Sequence, residues 1–252
     1  MMTTLDAAAW QESWDRQQEA YLPDREERFT VLADLVDAVA PADRPVRVLD
    51  LAGGPGSISL RVLRRRPDAA VTLLDLDPVL LEIARATHAD RVEVVATSLA
   101  DPRWLEALPH RSFDAVLTAT ALHWLLPDRL RELYAEIRSV LVDGGVLANA
   151  DHMPDDGLAR LSDRLMDQAT RRREARHAAG AALSWEAWWE RVAVDPGLGG
   201  LYEERRAAFI DRHHGDHTPP ASWHLAALRD AGFSDVGTVW RAGADATVCA
   251  MR

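Results

Sequence analysis

The chain has 252 residues, 48% of them hydrophobic and 27% charged, with 14 Gly and 13 Pro. That composition excludes disordered, collagen-like and disulfide-stapled classes and leaves room for one large core plus a subdomain. Forty acidic residues against 29 Lys and Arg give a net charge of −11, and all 29 are Arg, which argues against a tracker of nucleic-acid phosphates and removes Schiff-base and Walker-type lysine chemistry.

Cys249 is the single cysteine, so no internal disulfide forms. No basic n-region leads into an apolar run, and no stretch approaches a membrane span. The expectation is a cytoplasmic, reduced protein without a membrane partner, a monomer or a homodimer.

In chain order, residues 10–40 carry Phe29, Leu32, Leu35, Val36 and Val39 at helical spacing, which predicts one helix within an N-terminal lid (1–45) that Pro41 and Pro45 close. Residues 46–51 form a short apolar run ending in Ala52-Gly53-Gly54-Pro55-Gly56, followed by a helical pattern through Ile58, Leu60, Val62 and Leu63. This is a strand-loop-helix unit. A second run, 70–74, ends at Asp75, and Asp77-Pro78 supplies an N-cap and a first-turn proline for the next helix. Strand runs at 92–95, 115–118 and 146–150, with a helix over about 128–141, continue the alternation that requires a parallel sheet covered on both faces. From 151 to 220, Arg- and Trp-rich helical stretches replace strands, an inserted helical cap. The segment 222–252 reads as a helix ending at Gly232 and a hairpin of strands 236–240 and 247–251.

A glycine-rich loop between a buried strand and a helix lets a ligand approach the backbone, beside the free amides of the helix N-terminus. Alone it is a weak signal, equally a tight turn. Asp50 before the loop and Asp75 at the end of the second strand sharpen it, because an acid at that second position is placed to accept from two ribose hydroxyls.

The run Val48-Leu49-Asp50-Leu51-Ala52-Gly53-Gly54-Pro55-Gly56 resembles motif I of the class I S-adenosylmethionine-dependent methyltransferases, and Leu73-Leu74-Asp75-Leu76-Asp77-Pro78 resembles motif II. Phe113-Asp114-Ala115-Val116, continuing to Ala121-Leu122-His123-Trp124-Leu125, is similar to the fourth strand and following loop of the small-molecule branch that includes trans-aconitate methyltransferase. Asp143-Gly144-Gly145 stands where that branch has Pro-Gly-Gly, and Ala231-Gly232-Phe233 is also typical. The resemblance implies an α/β, Rossmann-like, mostly parallel seven-stranded sheet with an antiparallel C-terminal hairpin, its core made of 46–150 and 221–252. It implies S-adenosylmethionine as cofactor and S-adenosylhomocysteine as product. Asp50 and the backbone of Ala52 and Gly54 would hold the amino-acid end, Gly56 would permit close approach, Asp75 would bind the ribose and Leu76 would pack on the adenine. Ala119, at the end of the fourth strand, joins the cofactor set. Two departures stand out. Ala52 replaces a usual glycine, tolerable if its φ is negative, and Ser98 replaces an acid, leaving the adenine to Ser98 and the Leu99 backbone.

On the acceptor side, His123 in the loop after the fourth strand is the candidate general base, and His213, in the segment between the insertion and the last helix, is a second catalytic candidate. His213, His214 and His217 with Asp216 could bind a divalent metal, but ligands drawn from one loop favour a substrate-lining role, and no metal is expected. His152, Trp124, Trp14 and Tyr21 complete the candidate substrate residues; the plain alternative for the tryptophans, including Trp185, Trp188 and Trp189, is that they glue a lid to the core. Arg171, Arg172 and Arg173 read as a solvated helix face. No Asn/Asp-Pro-Pro-Tyr motif follows the fourth strand, which speaks against methylation of nucleic-acid bases. The expected function is methylation of a small organic molecule, plausible in specialised metabolism. The alternatives are a non-methyl reaction on the same fold, or a non-catalytic cofactor-binding module.

Overall fold

The strands β1 (Arg47–Leu51), β2 (Ala70–Asp75), β3 (Val92–Ala96), β4 (Phe113–Ala119), β5 (Leu141–His152), β6 (Val236–Ala242) and β7 (Asp245–Met251) form one sheet in the order β3-β2-β1-β4-β5-β7-β6. Neighbours among β1 to β5 pair in parallel, and β7 runs antiparallel between β5 and β6. The expected fold class is therefore the one observed. These coordinates come from a computed structural model that describes residues 5–22, 24–209 and 217–252.

The apolar strand runs follow from burial on both faces. Leu49, Leu51, Val116 and Leu147 pack against Leu133, Tyr134 and Ile137 of α5 (Pro127–Val140) and Leu228 of α9 (Ala221–Asp230). Val48, Leu73, Ala115 and Leu117, one residue out of phase, meet Phe29, Leu32 and Val36 of α2 (Arg25–Val39), Ile58 and Val62 of α3 (Ser57–Arg65) and Leu81 and Ala84 of α4 (Pro78–His88). Asp77 caps α4 by accepting from the Val79 and Leu80 N–H groups, with Pro78 in the first turn.

The N-terminal helix is two helices. α1 (Ala7–Tyr21) closes where the Leu22 N–H donates to the Gln18 carbonyl, and α2 begins after Asp24, whose φ of 64° cannot continue a right-handed helix. The break lets the two apolar faces take different partners: α1 lies against α4, and α2 against β4 and β5. The proline at position 23, which disfavours helical backbone before it, was the signal for the break. Between β5 and α9 run α6 (Ala159–Ala178), α7 (Trp185–Ala193) and α8 (Gly199–Phe209). β5 extends past its expected end and carries Asp151 and His152 to the sheet edge.

Candidate active site

β1 lies between β2 and β4, so the chain moves outward from β1 to β3 and then crosses back. The loops after β1 and β4 diverge at that point, opening the crevice in which doubly wound sheets bind ligands. Both strand ends turn through left-handed non-glycine residues, Ala52 (φ 53°) and Thr120 (φ 49°). The condition that Ala52 have negative φ is thus not met. An L-residue here costs about 1–2 kcal/mol, strain of the kind that collects at functional sites.

The loop is held from beneath. Asp50, fully buried, accepts from the Ser59 N–H (2.9 Å) and hydroxyl (2.6 Å) through one oxygen, while its other oxygen is buried without a partner. Burial pushes its carboxyl up to about 6 against the Ser59 hydrogen bonds, with the Asp75 charge adding to the rise. A side chain on Gly53 would start 2.6 Å from the Asp50 carboxyl carbon, and one on Gly56 would start 2.3 Å from His88 Nε2. Gly56 is therefore needed, first of all, to fit over buried His88, which donates to the Pro55 carbonyl. Gly54 has φ +56° and only Leu80 nearby.

Asp75 ends β2 as expected. One oxygen accepts from the Gly54 N–H (2.8 Å), the other from the Leu76 (2.7 Å) and Asp77 (2.8 Å) N–H groups. Burial raises its carboxyl despite these donors and Arg205. A carboxylate has about four lone-pair sites, and only the oxygen facing Gly54 keeps one for a ligand hydroxyl without loop movement. Leu76 is half-buried beside it. Ser98 accepts from the Ala100 N–H, while Leu99 is buried with its carbonyl taken by Arg129 Nε at 2.8 Å. The Leu99 carbonyl is thus committed to the protein. Ala119 closes β4, half-buried.

Across the crevice stands an imidazole–carboxylate pair that the sequence reading missed in half. His123, in a short 3₁₀ turn after β4, donates from Nδ1 to Asp151 Oδ1 at 2.8 Å, and its backbone N–H approaches the other oxygen at 3.3 Å. The His123 side chain is 10% exposed and that of Asp151 3%. Burial opposes ionisation of Asp151, but His123, His152 and the His152 N–H hold its carboxyl below the usual range. His152 is similarly fixed, Nδ1 to Asp245 Oδ1 at 2.6 Å, and Asp245 is ion-paired to buried Arg28. The signal for Asp151 was its place beside His152 at a strand end. Arg28 could be found only as a misfit on the apolar stripe of α2.

The aromatic residues divide. Trp14 belongs to a cluster with Trp10, Trp188 and Trp189, closed against Val79, Leu80 and Ile83 of α4, and its ring lies 5.0 Å from that of Trp188. Tyr21 accepts from the Trp185 N–H and lies under Arg173. Trp124 is 43% exposed beside His123. The His217 N–H donates to the His123 carbonyl at 2.8 Å. His213, His214 and Asp216 lie outside the described residues. Among the described residues no group of three or more His, Cys, Asp or Glu could hold a metal, and no helix is long and apolar enough to cross a membrane.

Residues 48–145 match the family model of a methyltransferase domain, a span that runs from β1 through the Gly-rich loop, Asp75 and His123 into β5. This segment belongs to the methyltransferase domain family. The chain is 35% identical over 187 residues to a trans-aconitate 2-methyltransferase of Methylobacterium radiotolerans, covering 74% of this chain and 62% of that protein. It is 36% identical over 108 residues to a malonyl-[acyl-carrier protein] O-methyltransferase of Geobacter sulfurreducens, covering 42% and 38%. The matches span less than two thirds of either relative's length. Among solved structures, an O-methyltransferase family protein from Burkholderia thailandensis superposes with a TM-score of 0.54 at 22% identity, covering all of this chain and 74% of that one. A structure titled as a pericyclic reaction enzyme shares the fold with a TM-score of 0.53 at 15% identity, covering 88% of this chain and 47% of that one.

The residues of this methyltransferase domain fit S-adenosylmethionine. A buried, unpartnered Asp50 oxygen beneath the loop, an acid closing β2 and a helix N-terminus opening after Gly56 suit a ligand that carries an ammonium, a ribose and a carboxylate.

Proposed function

We propose that the protein transfers a methyl group from S-adenosylmethionine to a small organic molecule of specialised metabolism, in the cytoplasm, as a monomer or homodimer. One observation carries this reading: the crevice between β1 and β4 is bordered on one side by the glycine loop with Asp75, and on the other by an imidazole gripped by a buried carboxylate. Asp75 holds the ribose, Asp50 and the backbone of Ala52 and Gly54 the amino-acid end, and Leu76, Ser98, the Leu99 backbone and Ala119 line the remainder of the cofactor site.

The sulfonium of the bound cofactor is already a good leaving group, so the protein supplies alignment and a place for the acceptor's proton. His123 takes that proton, and Asp151 orients the ring and stabilises the imidazolium formed. A carboxylate acceptor is already an anion and needs no base. The His123–Asp151 pair therefore favours a hydroxyl or amine acceptor. The net charge of −11 supports a small molecule over a nucleic acid.

The test is incubation of the purified protein with methyl-labelled cofactor and a fractionated extract. Label on a recovered small molecule supports the reading, whereas conversion of a substrate with the label still on the cofactor replaces it with a non-methyl reaction. His123→Ala is expected to lower turnover about 100- to 10,000-fold with unchanged S-adenosylhomocysteine affinity by calorimetry. Asp151→Asn, which still positions the ring but cannot stabilise its cation, should lower kcat more than it raises KM and shift the pH–rate profile. Full turnover in both variants would leave catalysis to alignment alone.

A further inference from the structure

Helices α6, α7 and α8 meet the rest of the chain at different places. α6 and α7 hydrogen-bond to α1: Arg176 donates to the Glu19 carbonyl, the Trp185 N–H to Tyr21 Oη, and Trp188 Nε1 to Ser13 Oγ. α8 buries no residue, yet it carries Arg205, whose Nε donates to Asp77 Oδ2 at 2.6 Å with the two side chains 15% and 4% exposed. Among the described residues no other side chain of these three helices is ion-paired outside its own helix. The Arg205 guanidinium also lies 3.7 Å from the Trp189 ring centre of α7 and 4.7 Å from that of Phe209, so two rings and a carboxylate hold it in place.

The contact lands on acids that depend on one another. Asp77 caps α4 through Oδ1, which accepts the Val79 and Leu80 N–H groups, while Oδ2 holds Arg205. Its own backbone N–H donates to Asp75 Oδ1 at 2.8 Å, beside the Leu76 N–H, and Asp75 Oδ2 accepts from the Gly54 N–H. A chain of contacts thus runs from α8 through Asp77 and Asp75 to the glycine loop. The Asp75 charge opposes ionisation of Asp77, and the same guanidinium draws both carboxyls down against burial. Without that cation, a buried Asp77 carboxylate either turns out of the α4 cap toward water or presses its charge on Asp75.

Resting on the cofactor reading of Asp75 above, we infer that Arg205 is a positioning residue for the cofactor: by holding Asp77 at the start of α4 it keeps Asp75 arranged to accept from the ribose, so that docking of α8 and binding of the cofactor share one contact. Arg205 acts only through Asp77. The two events are then linked, and each favours the other by the same factor.

Calorimetry of the full chain with S-adenosylhomocysteine at pH 8 is the test. Arg205→Met should weaken binding about tenfold, a usual size for coupling between two sites, and Arg205→Lys, which keeps the cation, should restore most of it. In an Asp77→Asn background, which keeps the helix cap but leaves no charge to pair, Arg205→Met should cost less than about twofold, because the cycle isolates what the two residues share. Reciprocally, saturating S-adenosylhomocysteine should slow protease cleavage within residues 159–209 about tenfold in the wild type and less than about twofold in Arg205→Met. A merely structural arginine would speed cleavage equally with and without ligand. Arg205→Gln gives the same comparisons if Arg205→Met does not fold. Unchanged affinity in Arg205→Met, an equal loss in both Asp77 backgrounds, or equal protection by ligand in wild type and variant overturns the inference and leaves the cofactor reading standing. A wild-type chain that binds no S-adenosylhomocysteine removes the cofactor reading, and this inference with it.

Discussion

At the scale of single residues, the cofactor loop is a set of local conflicts resolved by neighbours. Ala52 occupies left-handed backbone without being glycine. Ala52→Gly is expected to raise stability by up to about 1 kcal/mol, the relieved strain less the extra freedom glycine gives the unfolded chain, read by thermal unfolding. Asp50 sits ionisable in a site that supplies two hydrogen bonds to one oxygen and none to the other. Its carboxyl is raised to about 6 from 3.8, so the folded state prefers it protonated. The associated stability is present below pH 4 and lost as pH rises through 6, about 3 kcal/mol at about 1.4 per unit. Asp50→Asn should remove that loss, giving a higher apo melting temperature at pH 8 while weakening cofactor binding. Asp75→Ala removes the acceptor of three backbone N–H groups as well as the proposed ribose contact. Both calorimetric affinity, by about 1.5–3 kcal/mol, and apo stability should fall.

At the scale of elements, each strand end delivers side chains to two different layers. Consecutive residues of β5 point to opposite faces, so Asn149 and Asp151 face α5 and α9 while His152 faces α2. Behind Asp151 the Asn149 amide donates to Tyr134 Oη (3.3 Å), Tyr134 donates to His224 Nδ1 (2.7 Å), and His224 bonds the Pro219 carbonyl. This buried chain ties α5, β5 and α9 to the segment that returns from the cap. Burial pushes His224 down to about 4, against the opposing Asp151 charge and Pro219 bond. For a histidine lowered on folding, stability is present above pH 6.5 and lost as pH falls toward 4, about 3 kcal/mol in all. Asp50 and Asp77 work in the opposite direction over the same window, so the wild-type curve is flattened. His224→Gln compared with wild type isolates the effect, and the gap between their melting temperatures should move in favour of the variant as pH falls from 6.5 to 4.

At the scale of the whole molecule, a polar contact fastens the cap to the strand-end acids. Arg205 of α8 donates from Nε to Asp77 Oδ2 at 2.6 Å, two residues from Asp75, and stacks 3.7 Å from the Trp189 ring centre. Around it Trp10, Trp14, Trp188 and Trp189 close the apolar seam between α1, α4 and α7. Burial raises Asp77 to about 6 although Arg205 opposes it. Arg205→Met should therefore leave stability near wild type at pH 5, where Asp77 is protonated, and lower it by about 3 kcal/mol at pH 8, where a buried carboxylate loses its cation. Asp77→Asn in the same chain, which keeps the helix cap, should recover most of that loss in urea unfolding.

The sequence alone determined the sheet class and the placing of the candidate cofactor residues on one unit, because these rest on short-range rules. Alternating strand and helix periods require a parallel sheet, and Asp50, the glycine loop and Asp75 lie within 26 residues of one another on a single strand-loop-helix-strand unit. The break between α1 and α2 was also local, written in the proline before Asp24, yet apolar spacing carried the helical reading through it. What only the tertiary structure decided is long-range pairing. His123 and Asp151 are 28 residues apart, His152 and Asp245 are 93 apart, and Arg28 reaches Asp245 across 217. No periodicity links such positions. They meet because parallel strands end at one edge and the antiparallel β7 begins where β5 stops, so strand register, which no local pattern encodes, chooses which carboxylate each imidazole receives.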